Sequence, residues 1–490
     1  MHFFWEVPEL VSEVISLLPR QDQARLARVN SRVWEIAIPH IWSDVPNIQY
    51  LFKLFPHDLW NNVEEPTTSP PLLNRELQGS DWSRLLVHSQ NTKTIYYTSR
   101  ELRDVVPTEI LCHSLVASAF PLLERLVVNV FGDSGDQVPI NITPLLLRPS
   151  LRSIEFSTDS ADFGSPLINT LQSIAENKTP LLEELILPLT VNVNSVGGVG
   201  EKAIASQRCL RRLTITSISD IAGLTESARD LPLLEELEVA DSRVISDPPT
   251  PNYNLRGFRS LTTLIATGVP DTVHTLLRSI RSDRLVRVAL TPINFLAPIV
   301  PSGFPAELQR FQPRLVHLQI TMHWSFSWAN LAPLLNLAEL QTFDLNYFDS
   351  YLITDDMVRQ MVDAWPNLVR LRLKAANFTS LLTFLTLQSL AYIAAQCPNL
   401  MKMAISFEGQ KAKNSFFPSE IDISHFSKNA LELFDVTVSM FDEGGEERLA
   451  KIFRSWWPKA RLCRSDPSMT STTRWDIEEA PSWPRQWSNH

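Results

Sequence analysis

The sequence predicts an α/β solenoid, in which a parallel sheet grows one strand at a time, each strand followed by a helix or short turn, behind a small helical segment. Three observations carry that prediction. The octapeptide PLLEELIL at Pro180–Leu187 returns as PLLEELEV at Pro232–Val239, and a variant, PLLERLVV, stands at Pro121–Val128. Apolar residues opening a pattern of the form L-x-x-L-x-[LIV] recur every 24 to 32 residues through most of the chain. Residues 7–18 carry an apolar stripe at helical spacing that the rest of the chain does not repeat in this form.

The recurring pattern comes first. Its opening positions are Leu123, Leu151, Leu182, Leu210, Leu234, Leu261, Leu285, Leu315, Leu340, Leu368, Leu400 and Leu431. In an extended strand alternate side chains face opposite ways, so the pattern's apolar residues share one buried side and the residues between them share the other. Pro precedes many copies (Pro121, Pro149, Pro180, Pro232, Pro313, Pro366 and Pro398), where it ends the previous helix by withholding an N–H donor. The intervening stretches 272–282, 357–366 and 389–398 have apolar residues at helical spacing and are expected to be helices. Copies six and nine drift, offering Ala266 and Phe343 at apolar sites.

A period near 28 with this pattern resembles the leucine-rich-repeat family over residues 101–440, in its longer, helix-containing form. The resemblance implies a solenoid with a parallel sheet on the concave face and helices outside. The expected organisation is helices over 1–50, a junction over 51–100 with a Pro-rich loop at 61–80, about twelve repeats over 101–445, and a cap and tail over 446–490. Within that tail, 446–466 reads as a helix then a strand, and Trp475, Trp483 and Trp487 suggest that the end folds back.

In the first fifty residues Val7, Leu10, Val11, Val14, Ile15 and Leu18 form the helical stripe, with Pro8 in the first turn and Pro19 closing the helix. Asp22 can cap a second helix carrying Leu26 and Val29, and Asn30 or Ser31 a third carrying Val33, Trp34, Ile36 and Ala37 before Pro39. Three short helices cannot bury their apolar faces alone. Either they cap the first repeat or they dock a partner.

The stretch VPELVSEVISLLPRQDQARLARVNSRVWEIAIPHIW resembles an F-box. Val7-Pro8 stands at the family's Leu-Pro opening and Ile41-Trp42 at its closing Leu-Trp, while Asn30 replaces a usual Cys and Val33 a common Trp. The resemblance implies a substrate receptor of an SCF-type ubiquitin ligase. Its F-box would hold a Skp-family adaptor through Val7, Pro8, Leu10, Val11, Val14, Ile15, Leu18, Leu26, Val29 and Trp34, and through it a cullin–RING scaffold. The repeats would hold a protein substrate, so the contribution to the reaction is proximity. The alternative is a leucine-rich-repeat scaffold or inhibitor outside ubiquitination. Outward-facing Leu10, Val14 and Trp34 would favour the first.

On the open strand face, Arg370, Arg372, Lys374 and Lys402 are expected to form one cationic patch for an acidic or phosphorylated segment, against the alternative of a merely solvated face. Glu184, Glu236 and Glu238 form an acidic zone that a basic segment could use. HWSFSW (His323–Trp328) is either a recognition loop or an insertion packed on its neighbours.

Composition narrows the rest. Of the 490 residues 44% are hydrophobic, and a net charge of −10 argues against nucleic acid as the main partner. Four cysteines, far apart, make neither a disulfide framework nor a metal site and fit a reducing compartment, nucleus or cytosol. The start MHFFWEVPEL has no signal-peptide pattern, no window suits a membrane span, and the N-x-[ST] matches at Asn141, Asn177 and Asn377 are read as chance. No G-x-S-x-G, HExxH, CxxC or CxxxxxR pattern occurs, and the glycine cluster VGGVGEKA (196–203) is read as a loop tip. Cys397 lacks an evident base. No enzyme, metal or cofactor is expected.

Overall fold

The computed structural model describes residues 5, 7–60, 73–98, 110, 115, 118–130, 143–158, 164–187, 197–216, 226–240, 257–292, 304–322, 328–347, 353–375, 385–405, 431–435, 456–457 and 460–463. Contacts divide the chain into one unit of Met1–Leu261 with Ser279–Ser282, and another of Thr262–Arg278 with Asp283–His490. Both units are α/β, and every described strand pairing in them is parallel.

The first unit opens with α1 (Pro8–Leu17), α2 (Arg20–Leu26) and α3 (Ser31–Ser43), then β1 (Asp44–Val45), α4 (Gln49–Phe52), α5 (Ser83–Ser89) and β2 (Thr94–Thr98). There follow β3 (Arg125–Val130), β4 (Ser153–Thr158), α6 (Gly164–Ala175), β5 (Glu184–Leu187), α7 (Gly197–Ser206), β6 (Arg212–Thr216) and β7 (Glu236–Ala240). The second unit contains β8 (Thr263–Gly268), α8 (Pro270–Ser279), β9 (Arg287–Pro292), β10 (His317–Met322), β11 (Thr342–Tyr347), α9 (Asp355–Ala364), β12 (Arg370–Ala375), α10 (Leu387–Gln396), β13 (Lys402–Ile405), β14 (Leu433–Asp435) and β15 (Arg461–Cys463). Within each unit sheet neighbours follow chain order. Parallel neighbours in sequence need a crossover each, and the fixed right-handedness of such crossovers puts the connecting helices on one face.

The repeat period determines the core. All twelve opening leucines are buried, as are Ala266 and Phe343 at the drifting sites. Phe343 tolerates its position because Trp365, at the end of α9, packs on it with ring centroids 4.7 Å apart.

A main-chain device joins the repeats. One carbonyl just before most of the described strands accepts two successive amides from the next repeat: Arg152 and Ser153 donate to Glu124 O, and Val369 and Arg370 to Gln341 O. The same fork recurs at Glu183, Arg211, Thr262, Val286, Val316 and Val369. No side chain takes part in it.

Helix starts follow local capping chemistry. Thr354 Oγ1 accepts from Met357 N at the start of α9, and Thr386 Oγ1 from Gln388 N at the start of α10. Asp355 links the two, accepting from Thr386 N (2.8 Å), Thr386 Oγ1 (2.6 Å) and Ser389 Oγ.

Several boundaries differ from the sequence reading. The sheet already contains β1 and β2, so the stretch 51–100 is less a linker than the start of the ladder, and β15 extends it beyond residue 445. Short strands without the full leucine pattern hid these copies. α2 begins at Arg20 behind Pro19, so Asp22 lies in its first turn and pairs with Arg25 instead of capping. Asn30 caps α3, its Oδ1 accepting from Val33 N at 2.8 Å. That helix runs through Pro39 to Ser43; proline removes one donor, and the buried Ala37 and Ile38 keep the helix packed beyond it. VGGVGEKA is not a loop tip: Gly197–Ser206 is helical, held by the buried Ala203 and Ile204. Expectations about 61–72, 323–327, 441–455 and 464–490 lie outside the described residues.

Candidate functional site

Two surfaces carry the residues that the sequence singles out. The first is the three-helix segment. Val11, Ile15, Ala27, Val33 and Ala37 form its core, with Leu26, Ile36 and Ile41 packed against it. Gln23 fastens α2 to α1, its Nε2 donating to the carbonyls of Ile15 (2.9 Å) and Leu18 (3.0 Å). Ser12 and His40 join α1 to α3 at 2.8 Å. Trp42 stacks on His88 of α5 at 4.8 Å, and Trp34 meets the same ring edge-on at 6.4 Å.

The residues expected to bind a partner divide into two groups. Val11 and Ile15 were expected on the docking face, but they are wholly buried in the helices' own core, and Leu18 and Leu26 are half-buried. The stripe was read as one face; positions 11 and 15 point inward, while 7, 10, 14 and 17 point outward, because one apolar residue per turn cannot serve both sides. Val7, Pro8, Leu10, Val14, Val29 and Trp34 are exposed, Leu10 at 49% and Trp34 at 42%. Leu17, which sequence reasoning missed, is the most exposed large apolar residue among the described residues, at 77%. Its period-3.6 relation to Leu10 and Val14 was the available signal.

The second surface is the open face of the sheet, whose two portions differ chemically. In the first unit its charges close on each other. Arg125 meets Glu155 (3.0 Å), Ser153 donates to Glu184 (2.7 Å), and Arg212 bridges Glu184 (3.0 Å) and Glu236 (2.6 Å). One residue earlier on each strand, Arg152 pairs with Glu183 and Arg211 with Glu235. Glu238 accepts from Thr214 at 3.3 Å, and burial pushes its carboxyl above the ordinary carboxylate range. Of the expected acidic zone, Glu184 and Glu236 are therefore paired, by an Arg212 that becomes visible only when the third position of every copy is read, while Glu238 is held by the Thr214 hydroxyl.

In the second unit, the matching register row runs Thr263, Arg287, His317, Thr342, Arg370, Lys402 and Leu433. Arg370 and Lys402 are direct cross-strand partners and both are half-buried. Arg372 differs from its expected role: it is buried and its Nη1 lies 3.3 Å from Asp344, so its charge is engaged within the sheet. Lys374 is placed at the end of β12 by register with Asn346, and its side chain lies outside the described residues. Burial lowers the His317 imidazole below its ordinary value, and Arg287 and Arg370 lower it further.

Burial pushes the Cys397 thiol up to about 12, which leaves it protonated at neutral pH. Among the described residues no group of three or more His, Cys, Asp or Glu could hold a metal ion, and no helix is long and apolar enough to cross a membrane.

No family model matches this chain, and no curated protein matches it. Among solved structures, the crystal structure of a Bacteroides fragilis protein is 13% identical over 67% of this chain and 70% of that one. Its TM-score is 0.28, too low to inform fold or function.

Proposed function

We propose that this protein is the substrate receptor of an SCF-type ubiquitin ligase, an F-box on α1–α3 holding a Skp-family adaptor and a leucine-rich-repeat sheet holding the protein to be ubiquitinated. The observation that carries the reading is the outward apolar set Leu10, Val14, Leu17, Val29 and Trp34 on helices whose core is already complete without them. Buried against a partner, such side chains contribute roughly 1.5–3 kcal/mol each. A helical cap serving only the first repeat would turn these residues toward that repeat. The F-box pattern of Val7-Pro8 and Ile41-Trp42 supports the same reading. The protein performs no bond chemistry; it raises the local concentration of a substrate lysine.

The test is a binding titration of the full chain against a purified Skp-family adaptor, beside the Leu10→Asp/Val14→Asp variant. Submicromolar binding that the variant loses is the expected result. Absence of binding by the unaltered chain would leave a repeat scaffold working outside ubiquitination.

A further inference from the structure

We propose that the stretch from Ala203 to Leu373, β6 through β12, is kept free of lysine because it lies within reach of the ubiquitin-charged conjugating enzyme. Ubiquitin then passes to the bound protein and not to its receptor. The inference rests on the receptor reading and adds to it where along this chain the transfer takes place.

The two basic residue types are not interspersed. The chain has 33 arginines and 11 lysines. Residues 203–373 hold sixteen of the arginines and none of the lysines, whereas residues 374–459 hold seven lysines and two arginines. Ahead of the stretch only Lys53, Lys93, Lys178 and Lys202 interrupt the arginines. A uniform preference for arginine would not reverse between adjoining parts of one repeat array.

Local structure does not require the exclusion. Where a guanidinium fork is used, the contacts show it: Arg75 donates to Asp81 through both Nη1 (2.7 Å) and Nη2 (2.8 Å), and Arg212 reaches Glu184 and Glu236. Four exposed arginines of the stretch each make one ion contact through a single nitrogen among the described residues. Arg211 meets Glu235 at 2.7 Å, Arg278 meets Glu307 at 3.5 Å, and Arg314 meets Asp283 at 4.0 Å. Arg359 meets Asp356 at 3.4 Å and lies over the Tyr392 ring. An ammonium makes each of these contacts as well, and single exposed pairs of this kind stabilise little. The four stand before β6, in α8, before β10 and in α9, so no common ligand selects them.

What separates the two side chains is reactivity. In ubiquitin transfer a neutral lysine amine attacks the thioester carbonyl at the end of ubiquitin. A C–N bond forms and the C–S bond breaks; the conjugating enzyme's cysteine leaves as thiolate and takes up the proton that the amine loses. A guanidinium stays protonated at neutral pH with its electrons delocalised, so it carries the same charge without being an acceptor. A receptor that concentrates lysines near a thioester concentrates its own along with its substrate's. Arginine keeps the surface cationic and removes that competing nucleophile.

The experiment reconstitutes the full chain with a purified Skp-family adaptor, a cullin–RING scaffold, ubiquitin-activating and conjugating enzymes, fluorescent ubiquitin and ATP. It reads the initial rate at which ubiquitin attaches to the chain itself. One variant carries Arg211→Lys, Arg278→Lys, Arg314→Lys and Arg359→Lys together, and a second carries Arg→Gln at the same four positions. The first is expected to modify itself at least fivefold faster than the unaltered chain, with peptide mass spectrometry placing the added ubiquitin on the introduced lysines. The second is expected to stay at the unaltered rate, which separates an added amine from a loosened fold, and thermal unfolding of all three accompanies the rates. A lysine variant no faster than the unaltered chain, ubiquitin only on the original lysines, or an equal rise in the glutamine variant would each overturn the inference. Adaptor titrations on the same preparations distinguish the two readings. No gain with adaptor bound removes this inference alone; no adaptor binding removes the receptor reading and this inference with it.

Discussion

Asp344 and Arg372 face each other across β11 and β12 at matched register, 3.3 Å apart, with both side chains over nine-tenths buried. Asn346 also donates to Asp344, at 3.1 Å. Removing one charge of such a pair leaves the other buried without compensation. Asp344→Ala is expected to cost about 3–5 kcal/mol, and the Asp344→Leu/Arg372→Met double variant much less. Urea unfolding of the three proteins measures both. Equal losses in single and double variants would show that the pair stabilises by more than avoiding an orphan charge.

The apolar helical segment predicts a separation of stability from binding. Leu10→Asp/Val14→Asp alters exposed positions and should change stability by about 0.5 kcal/mol or less while abolishing adaptor binding. Ile15→Ala, in the core beside them, should cost about 2–5 kcal/mol. Thermal unfolding and the adaptor titration, run on the same samples, give both readouts.

Gly257 predicts a steric limit. A Cβ added there would lie 2.6 Å from the Arg229 carbonyl oxygen and 2.6 Å from Arg229 Cβ, and Phe258 N already donates to that carbonyl at 2.8 Å. Backbone cannot yield as a side-chain tip can. Gly257→Ala is expected to destabilise by about 1–3 kcal/mol in denaturant titration, in spite of the helpful loss of unfolded-state entropy.

Acid should weaken the fold through three histidines. Burial is the leading cause holding His88, His274 and His317 below their ordinary imidazole values. A folded-state value below the unfolded one means that the unfolded chain takes up protons first. Stability is therefore full above about pH 6.5, falls as the pH drops through the interval down to the folded-state values, and levels off beneath them. His317→Gln should flatten part of that slope in urea titrations between pH 7.5 and 5. A slope unchanged by the substitution would remove His317 from the explanation.

How much was legible follows from what each signal depends on. The repeat was readable because a buried leucine every 24 to 32 residues is a composition pattern, and twelve of twelve opening positions are buried as read. β1 and β2 were not, because Asp44–Val45 and Thr94–Thr98 pair through the main chain without the leucine signature. The helices 357–366 and 389–398 were found within two residues by amphipathic spacing and their following prolines. The helix through VGGVGEKA was missed because glycine content outweighed the burial of Ala203 and Ile204. On the face, residue type and register predicted that Arg370 and Lys402 would be neighbours. They could not show that Arg372 turns to Asp344, or that Arg212 closes two glutamates, since both depend on side chains reaching between strands.

The forked carbonyl before most of the strands has an evolutionary meaning as well as a structural one. Glu124, Arg152, Val286 and Gln341 make the same two-amide contact although their side chains share neither charge nor polarity. Attachment between successive copies is thus indifferent to the residues displayed beside it. Selection can rewrite the residues displayed on an entire face without renegotiating how the copies are joined.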